Sequence, residues 1–507
     1  MSTQQVAFAG YPSAVVYEQP GTGKKGTNPV QHLLWGDWLL KTGQTQGAWV
    51  EVKARGVKGW MHKDSVQKDR LLEITFVDIG QGDGALVCTP DDKHLIIDAG
   101  QGDNMYRFLR WRYGRFLKPF EFEAAIISHP DSDHYAGFEP IFAEPTLTFG
   151  TIYHNGIIER AAASKNQSLG TLRGTAKEKF LTEVVRDKAE LKDLLDQPAK
   201  IKGKKYPTML KKAMDSGHVN DIQNLSIENQ FLPGYDQTKD LQIAVLGPVI
   251  EPDTSGDPRL RWFGDVGKTK NGHSVVLRLQ YKDVSVMLGG DLNIPSENLL
   301  MGHHTGLESP PAEADKEKLV KAARKVFECD IAKACHHGSA DFSDLFLRSV
   351  NPIATVISSG DDEPHSHPRA ESLGGIGRHS RGDRPLIFST ELARSAPETI
   401  KHPFVLKKEI EELRKQIRET TDADKKQKAE GKLDKLLAGV LDRSVAVYGA
   451  INLRTDGDRV VIAQKIERPG GKDKKWDIYK AAGLKCSTGY CGRIVRLHLG
   501  KVSERWM

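Results

Sequence analysis

The chain has 507 residues, 38% hydrophobic and 28% charged, with 73 basic against 67 acidic side chains for a net charge of +6. That length predicts two to four units with sizeable cores, and the mild basic excess permits a polyanionic partner without demanding one. No run approaches eighteen apolar residues, the first residues lack the basic and apolar segments of a secretory signal, and five cysteines suit a reducing compartment; a cytoplasmic protein without a membrane span is expected.

Residues 12 to 68 read as short strands with Gly-rich turns, SAVVYEQ, DWLLKTG, AWVEVKA and KGWMHKDSV, the pattern of a small β-barrel. A new unit opens near residue 70. LLEITFVDIGQGDGALVC and HLIIDAGQGDN predict strands ending in Gly/Asp turns, and AAIISH is a buried strand cut off by Pro130. Residues 155 to 240 are polar, with basic clusters such as KIKGKKYPTMLKK, and are expected to form a largely helical insertion. LQIAVLGPV, SVVLRLQY and VSVMLGGDL restore the β-pattern, and IAKACHHGS and IATVISSG add two more strands. Residues 405 to 439 place apolar side chains at helical spacing with a break at ETTDAD, which predicts a helical hairpin with a solvated charged face. Residues 444 to 467 predict a β-hairpin turning at Thr455-Asp456-Gly457, and the tail with RPGGKDKKWDIYK reads as a basic loop. Cys486 and Cys491 are expected to be ordinary thiols, because a structural zinc site needs four ligands.

The chemistry concentrates in His129-Pro-Asp-Ser-Asp-His134. Two imidazoles and two carboxylates within six positions after a buried strand form the ligand set of zinc, manganese or iron. Buried carboxylates without a cation or donors would be expensive. A solvated loop would explain this segment alone. Three further segments argue against that: Asp291 follows the strand VMLGG, His336 and His337 follow IAKAC, and Asp98 follows LII. Strand ends on one edge of a sheet can converge on one site. Cys335, beside His336, is expected to be buried and inert.

The ordered set VDIGQGD (77 to 83), IIDAG (96 to 100), SHPDSDHYAG (128 to 137), SVVLRL…VMLGGDL (274 to 292), CHHGS (335 to 339), NPIATVISSG (351 to 360) and HSHP (365 to 368) resembles the metallo-β-lactamase superfamily, and within it the hydrolase domain of ComEC-type competence proteins. The resemblance implies an α+β fold: an αββα sandwich with metals at one edge. It divides the chain into an SH3-like β-barrel (1–69), the hydrolase domain (70–368, with the 155–240 insertion), an insertion carrying the helical hairpin (369–441), a closing β-hairpin (442–468) and a basic tail (469–507). The SH3-like part resembles bacterial domains of that name through GAWVEVK and GVKGWMHKDSV. His129, Asp131, Asp133, His134 and Asp291 match the family's metal motif, with Asp291 bridging. His336 or His337 supplies the last ligand, and the other faces the phosphate or orients the water. Asp131 stands where the wider superfamily has histidine, and its harder oxygen shifts the preference towards manganese. His273 is a candidate ligand or a loop histidine; His154 and His218 are weaker candidates. Asp78, Asp83 and Asp98 would support the site, and His365 and His367 would face substrate.

The resemblance further implies two divalent cations, zinc or manganese, activating water for attack on a phosphodiester, with Asp133 or Asp291 taking the proton and His337, His365 and His367 offsetting developing charge. A DNA nuclease is expected, with Lys202, Lys204 and Lys205 meeting the phosphate backbone. A small-molecule hydrolase of phosphorylcholine-esterase or lactamase type is a rival reading. So is a partner-dependent regulatory subunit docking through the SH3-like domain or the hairpin. Stand-alone relatives of this type are often associated with bacterial genome defence.

Overall fold

The computed structural model describes residues 5–360, 365–382, 384–390, 403–442, 449–466, 469–482 and 495–497, so Cys486 and Cys491 lie outside the described residues. Among these residues it is a mixed α+β structure with four sheets of seven, ten, three and six strands.

The seven-stranded sheet takes the order Thr27–Leu34, Ser13–Gln19, Val57–His62, Trp49–Ala54, Trp38–Gln46, Gln5–Ala9, Val66–Gln67. Ala7 and Leu39 from one end of the sheet share a buried cluster with Val16 and Leu33 from the other, so the sheet curls around its own small core.

The ten-stranded sheet runs Val219–Asn224, Leu147–His154, Phe120–Ile126, His94–Ala99, Gly84–Cys88, Leu72–Phe76, Ile451–Thr455, Arg459–Lys465, Trp476–Ala482, Val495–Leu497. The six-stranded sheet runs Leu241–Gly247, Val276–Tyr281, Val284–Leu288, Ile331–Lys333, Ala354–Ile357, Leu386–Ser389. Alternate side chains on a strand point to opposite faces. Leu72, Ile74, Val87, Leu95 and Ile97 therefore meet Leu277, Leu279, Val286, Ile331 and Val356 in one core between the two sheets. The opposite face of the larger sheet, Leu86, Ile96 and Ile152, packs on helix Asn104–Arg112 and on helices Lys188–Leu195 and Lys205–Asp215. The outer face of the smaller sheet, Val276, Met287 and Ala332, packs on helices Ile294–Thr305 and Lys316–Phe327.

Strand direction fixes where a site can form. His94–Ala99, Phe120–Ile126 and Leu147–His154 are mutually parallel, as are Val284–Leu288, Ile331–Lys333 and Ala354–Ile357. The loops leaving parallel strands emerge together, which is where open α/β sheets collect ligands.

Two segments differ from expectation. Residues 155 to 240 carry three helices, but they also carry two short strands of the three-stranded sheet and the edge strand Val219–Asn224, parallel to Leu147–His154. VNDIQN is polar because its pairing rests on backbone hydrogen bonds, with only Val219 and Ile222 buried. In the basic tail, Trp476–Ala482 pairs antiparallel with Arg459–Lys465 and buries Trp476 and Ile478; the lysines around them hide the alternation. The helical hairpin is present as Pro403–Glu419 and Ala423–Asp442.

The curled sheet is tied to the large sheet by buried ion pairs. Arg454 donates to Asp37 Oδ1 at 2.9 Å, to the Trp35 carbonyl at 2.6 Å and to Glu73 Oε1 at 3.3 Å. Arg55 donates to Asp37 at 2.8 and 3.1 Å, and Arg112 to Glu73 at 2.9 Å. Burial would raise the Asp37 carboxyl, but Arg55 and Arg454 outweigh it and hold it well below the usual carboxylate range.

Candidate metal centre

Each site residue stands where a strand stops. Phe120–Ile126 ends in Ser128 and His129, and the short helix Ser132–Tyr135 presents Asp133 and His134. Asp291 follows Val284–Leu288 through two glycines, and His336 and His337 follow Ile331–Lys333 with positive φ of 49° and 53°. The side chains of Asp133, His134, Asp291 and His337 offer one ligand atom each within 4.8 Å of one another. Asp291 Oδ2 is 3.2 Å from His134 Nε2 and 3.2 Å from His337 Nε2, and Asp133 Oδ2 is 3.6 Å from His337 Nε2. His336 Nε2 stands farther out, 3.9 Å from Asp291 Oδ2.

The far nitrogen of each clustered imidazole is held. Asp98 Oδ2 lies 2.8 Å from His134 Nδ1, and its Oδ1 accepts from the Ser128 amide at 2.7 Å. Asp98 sits at a strand irregularity with φ +55°, a left-handed conformation uncommon outside glycine and enriched in Asp and Asn. The Ser358 carbonyl accepts from His337 Nδ1 at 3.2 Å, and Asp83 Oδ1 lies 3.0 Å from the same nitrogen. Asp83 also pairs with Lys333, whose buried ammonium donates to the Gly290 carbonyl at 3.2 Å and stands 3.9 Å from Asp291 Oδ1. The GQGD turn can carry Asp83 there because a Cβ on Gly82 (φ +100°) would lie 1.7 Å from the Asp133 carbonyl oxygen. Carboxylates on the second imidazole nitrogen fix tautomer and ring orientation in metal sites.

Electrostatics describe the same point in space. Burial would suppress charge on His134 and His337, but Asp291 with Asp98, and Asp291 with Asp83, outweigh it and push both imidazoles well above their ordinary value. Burial would raise Asp291, but His134, His337 and His336 hold it well below its own. Without a cation, these carboxylates draw protons onto the two Nε2 atoms that point at them. Two imidazole nitrogens and two carboxylates converging there are a donor set that could hold a metal ion.

Other candidate residues take different places. His129 is fully buried; its Nδ1 lies 3.0 Å from Ser128 Oγ and 3.2 Å from Ser274 Oγ, and its Nε2 is 3.6 Å from Asp131. Asp131 is paired with Lys270. His273 lies behind the site, its Nε2 2.7 Å from the Arg261 carbonyl and its ring stacked on Phe263, and burial pulls it down to about 4. His154 is buried, accepts from the Gly156 amide at 3.0 Å and is likewise pulled down to about 4 by burial. The carbonyl of His218 accepts from the Phe149 amide, in the first half of strand Leu147–His154. Asp78 accepts from the Gly80 amide at 3.3 Å and shapes the GQGD turn. Cys335 is deeply set, and burial pushes its thiol far up. Lys204 and Lys205 stand at the start of helix Lys205–Asp215, Lys202 just before it, and none of the three is among the residues that line the cleft.

A cleft of about 700 Å³ opens over the cluster, lined by Asp131, Asp133, Asp291, His336, His337, His365, His367 and Arg369 among others. The rings of His365 and His367 stack at 5.8 Å, and His367 stands 5.6 Å from His336 and 6.2 Å from His337, so imidazoles form one wall. Sequence reasoning missed Lys333, Lys270, Ser128 and Ser274. A lysine in the strand IAK carries no local sign that it is buried.

No family model matches the chain. Among curated proteins it is similar to ComE operon protein 3 of Bacillus subtilis (strain 168), 23% identical over 325 residues, which is 61% of this chain and 31% of that protein. The chain thus matches under a third of that relative's length. This distant likeness fits the ComEC-type resemblance of the motifs. No helix among the described residues is long and apolar enough to cross a membrane.

Proposed function

We propose that this chain is a metal-dependent hydrolase that cleaves phosphodiester bonds, with DNA as substrate. The carrying observation is the cluster of Asp133, His134, Asp291 and His337, each imidazole backed by its own carboxylate. The two sheets sharing a core between outer helices support a metallo-β-lactamase-like sandwich over residues 70–368 closed by 442–468, with Leu386–Ser389 and Trp476–Ala482 extending its sheets beyond those bounds. The curled N-terminal sheet supports an SH3-like unit over residues 1–69. That unit and the hairpin of the 369–441 insertion are surplus to hydrolysis, and we read them as docking elements for a protein partner.

A divalent cation, zinc or manganese, at this cluster would supply Lewis-acid polarisation of a phosphoryl oxygen and a more acidic water. The chain's own groups do the rest. Asp98 holds Nδ1 of His134, and the Ser358 carbonyl, with Asp83 beside it, holds Nδ1 of His337, leaving both Nε2 atoms for the shared point. Asp133 lies on the cleft surface and is positioned to accept the proton of an attacking water. His336, His365, His367 and Arg369 face it across the cleft and offer donors to phosphoryl oxygens as charge develops.

A second reading has its own support. Asp341 and Glu371 also line the cleft, and Arg369 is the one lysine or arginine among the lining residues described. A small phosphoester would suit such a cleft as well as a polynucleotide does.

The test is cleavage of plasmid and single-stranded DNA by the purified chain with Mn, Zn, Mg or EDTA, beside Asp133→Ala. Manganese-dependent cutting that vanishes in the variant is expected. Hydrolysis of bis-p-nitrophenyl phosphate without DNA cutting would move the assignment to a small phosphoester. Charge reversal of Lys202, Lys204 and Lys205 is expected to weaken DNA binding and flatten its salt dependence; unchanged binding would make these lysines ordinary solvated surface.

A further inference from the structure

The two halves of the HPDSDH segment are not equivalent. Asp133 and His134 join Asp291 and His337 in the four-ligand cluster, whereas His129 and Asp131 belong to no ligand cluster among the described residues. Their neighbourhood already contains a cation. The Lys270 ammonium, with a side chain only 12% exposed, pairs with Asp131 Oδ1, stands 3.5 Å from Glu159 Oε1 and donates to the Pro130 carbonyl at 3.4 Å. The Asn271 amide, turned with its nitrogen towards Asp131, donates to Oδ2 at 2.7 Å and to the Gly267 carbonyl at 3.2 Å. Both oxygens of Asp131 are therefore engaged by the chain itself. His129 Nε2 faces that same carboxylate, and its Nδ1 lies between two serine hydroxyls.

Helix Val266–Gly272 aims this lysine. It is capped by Asp265, whose carboxylate accepts from the Lys268 amide, and anchored by Asn293 Nδ2 donating to the Lys268 carbonyl at 2.9 Å. Lys270 is thus delivered by a braced helix rather than by a loose surface chain. Two carboxylates hold it: burial would lower its pKa, and Asp131 and Glu159 outweigh burial and raise it.

We propose that this centre takes one divalent cation, held by Asp133, His134, Asp291 and His337, and that Lys270 fills the second cation position as a built-in positive charge against Asp131 and Glu159. The inference rests on the metal-hydrolase reading and narrows it. Asp131 becomes a positioning residue for Lys270, not a metal ligand. The lysine cannot polarise water as a second metal ion does, so its contribution to phosphoester cleavage is a fixed charge on one side of the substrate.

The test is manganese stoichiometry of the full chain by equilibrium dialysis and elemental analysis, read without any activity. Wild type, Lys270→Arg and Asp131→Asn are each expected to bind one Mn per chain, with affinity changed less than about threefold. Lys270→Met, which leaves Asp131, Glu159 and His129 without their cation, is expected to bind two. Two Mn on the wild type, or a loss of bound Mn on Asp131→Asn, would overturn the proposal. A folded Lys270→Met protein, judged by its circular dichroism, that still binds one would overturn the role given to the lysine. A folded wild type that binds no Mn or Zn would overturn the metal reading itself. DNA left uncut by a chain that binds one Mn would count against the substrate assignment only.

Discussion

Two buried charge networks can be compared side by side. At the joint of the curled sheet, the carboxylates Asp37 and Glu73 meet the guanidinium groups of Arg55, Arg112 and Arg454. At the strand-end edge, Asp83, Asp98, Asp133 and Asp291 converge with one lysine, Lys333. In the first network the chain's own cations, three against two carboxylates, cover every buried anion. The second is short of cations and recruits protons onto its histidines. A buried network that closes its own charge reads as architecture; one that does not reads as a receptor for something cationic.

The strongest way to break this comparison is Asp37→Ala. Removing one partner of a buried pair costs about 3–5 kcal/mol, so a large drop in unfolding free energy by urea titration is expected, with bound manganese unchanged in the protein that remains folded. Loss of metal binding in folded Asp37→Ala would mean that the two networks are one. The converse is Asp291→Asn, expected to reduce metal-dependent cleavage by about 10³-fold, roughly 4 kcal/mol in the barrier, while far-UV circular dichroism is preserved. Next comes Asp98→Asn, which leaves His134 in place but weakens the hold on its Nδ1. A loss of about 10–100-fold in metal affinity by calorimetry is expected; an unchanged affinity would reduce Asp98 to support of the Ser128 turn.

A pH test sharpens the contrast with a third solution to buried charge. Glu297 is fully buried on helix Ile294–Thr305, accepting from the Ser343 amide, and burial pushes it up to about 8. It meets the low dielectric by keeping its proton. The unfolded chain releases that proton near pH 4–5 while the folded chain retains it to about 8. The folded state then binds more protons across this window, so stability falls as pH rises from about 5 to 8. Glu297→Gln keeps an acceptor for Ser343 and is expected to flatten that slope in thermal melts. An equal slope in the variant would mean that Glu297 ionises without cost.

Much of the candidate cluster was legible because its information is local. HPDSDH is contiguous, and Asp98, Asp291, His336 and His337 each close an apolar run that reads as a strand. The choice between His336 and His337 was not legible. It depends on two consecutive positive-φ residues and on Asp83, more than 250 positions away in the chain. Lys270 and Lys333 were invisible for the same reason: a lysine's meaning lies in its burial and its carboxylate, both set by tertiary packing. Individual strands and helices were legible from periodicity, and the mixed α+β class from the family resemblance. The edge strand Val219–Asn224 and the strand Trp476–Ala482 were not, because their polar and basic side chains obscure a backbone ladder fixed by neighbours.

The closing β-hairpin bears on how the molecule is made. Leu72–Phe76 pairs on one side with Gly84–Cys88, which follows within a few residues, and on the other with Ile451–Thr455; Thr75 and Asn452 are 377 residues apart in sequence. During synthesis, Leu72–Phe76 is therefore an open apolar edge until most of the chain has left the ribosome, and Asp37 waits through 417 residues for Arg454. Long-range pairing of this kind is slow and exposes aggregation-prone edges. Chaperone demand during expression should accordingly be high, and a version ending before residue 450 should accumulate as insoluble protein although it carries every residue of the candidate metal centre.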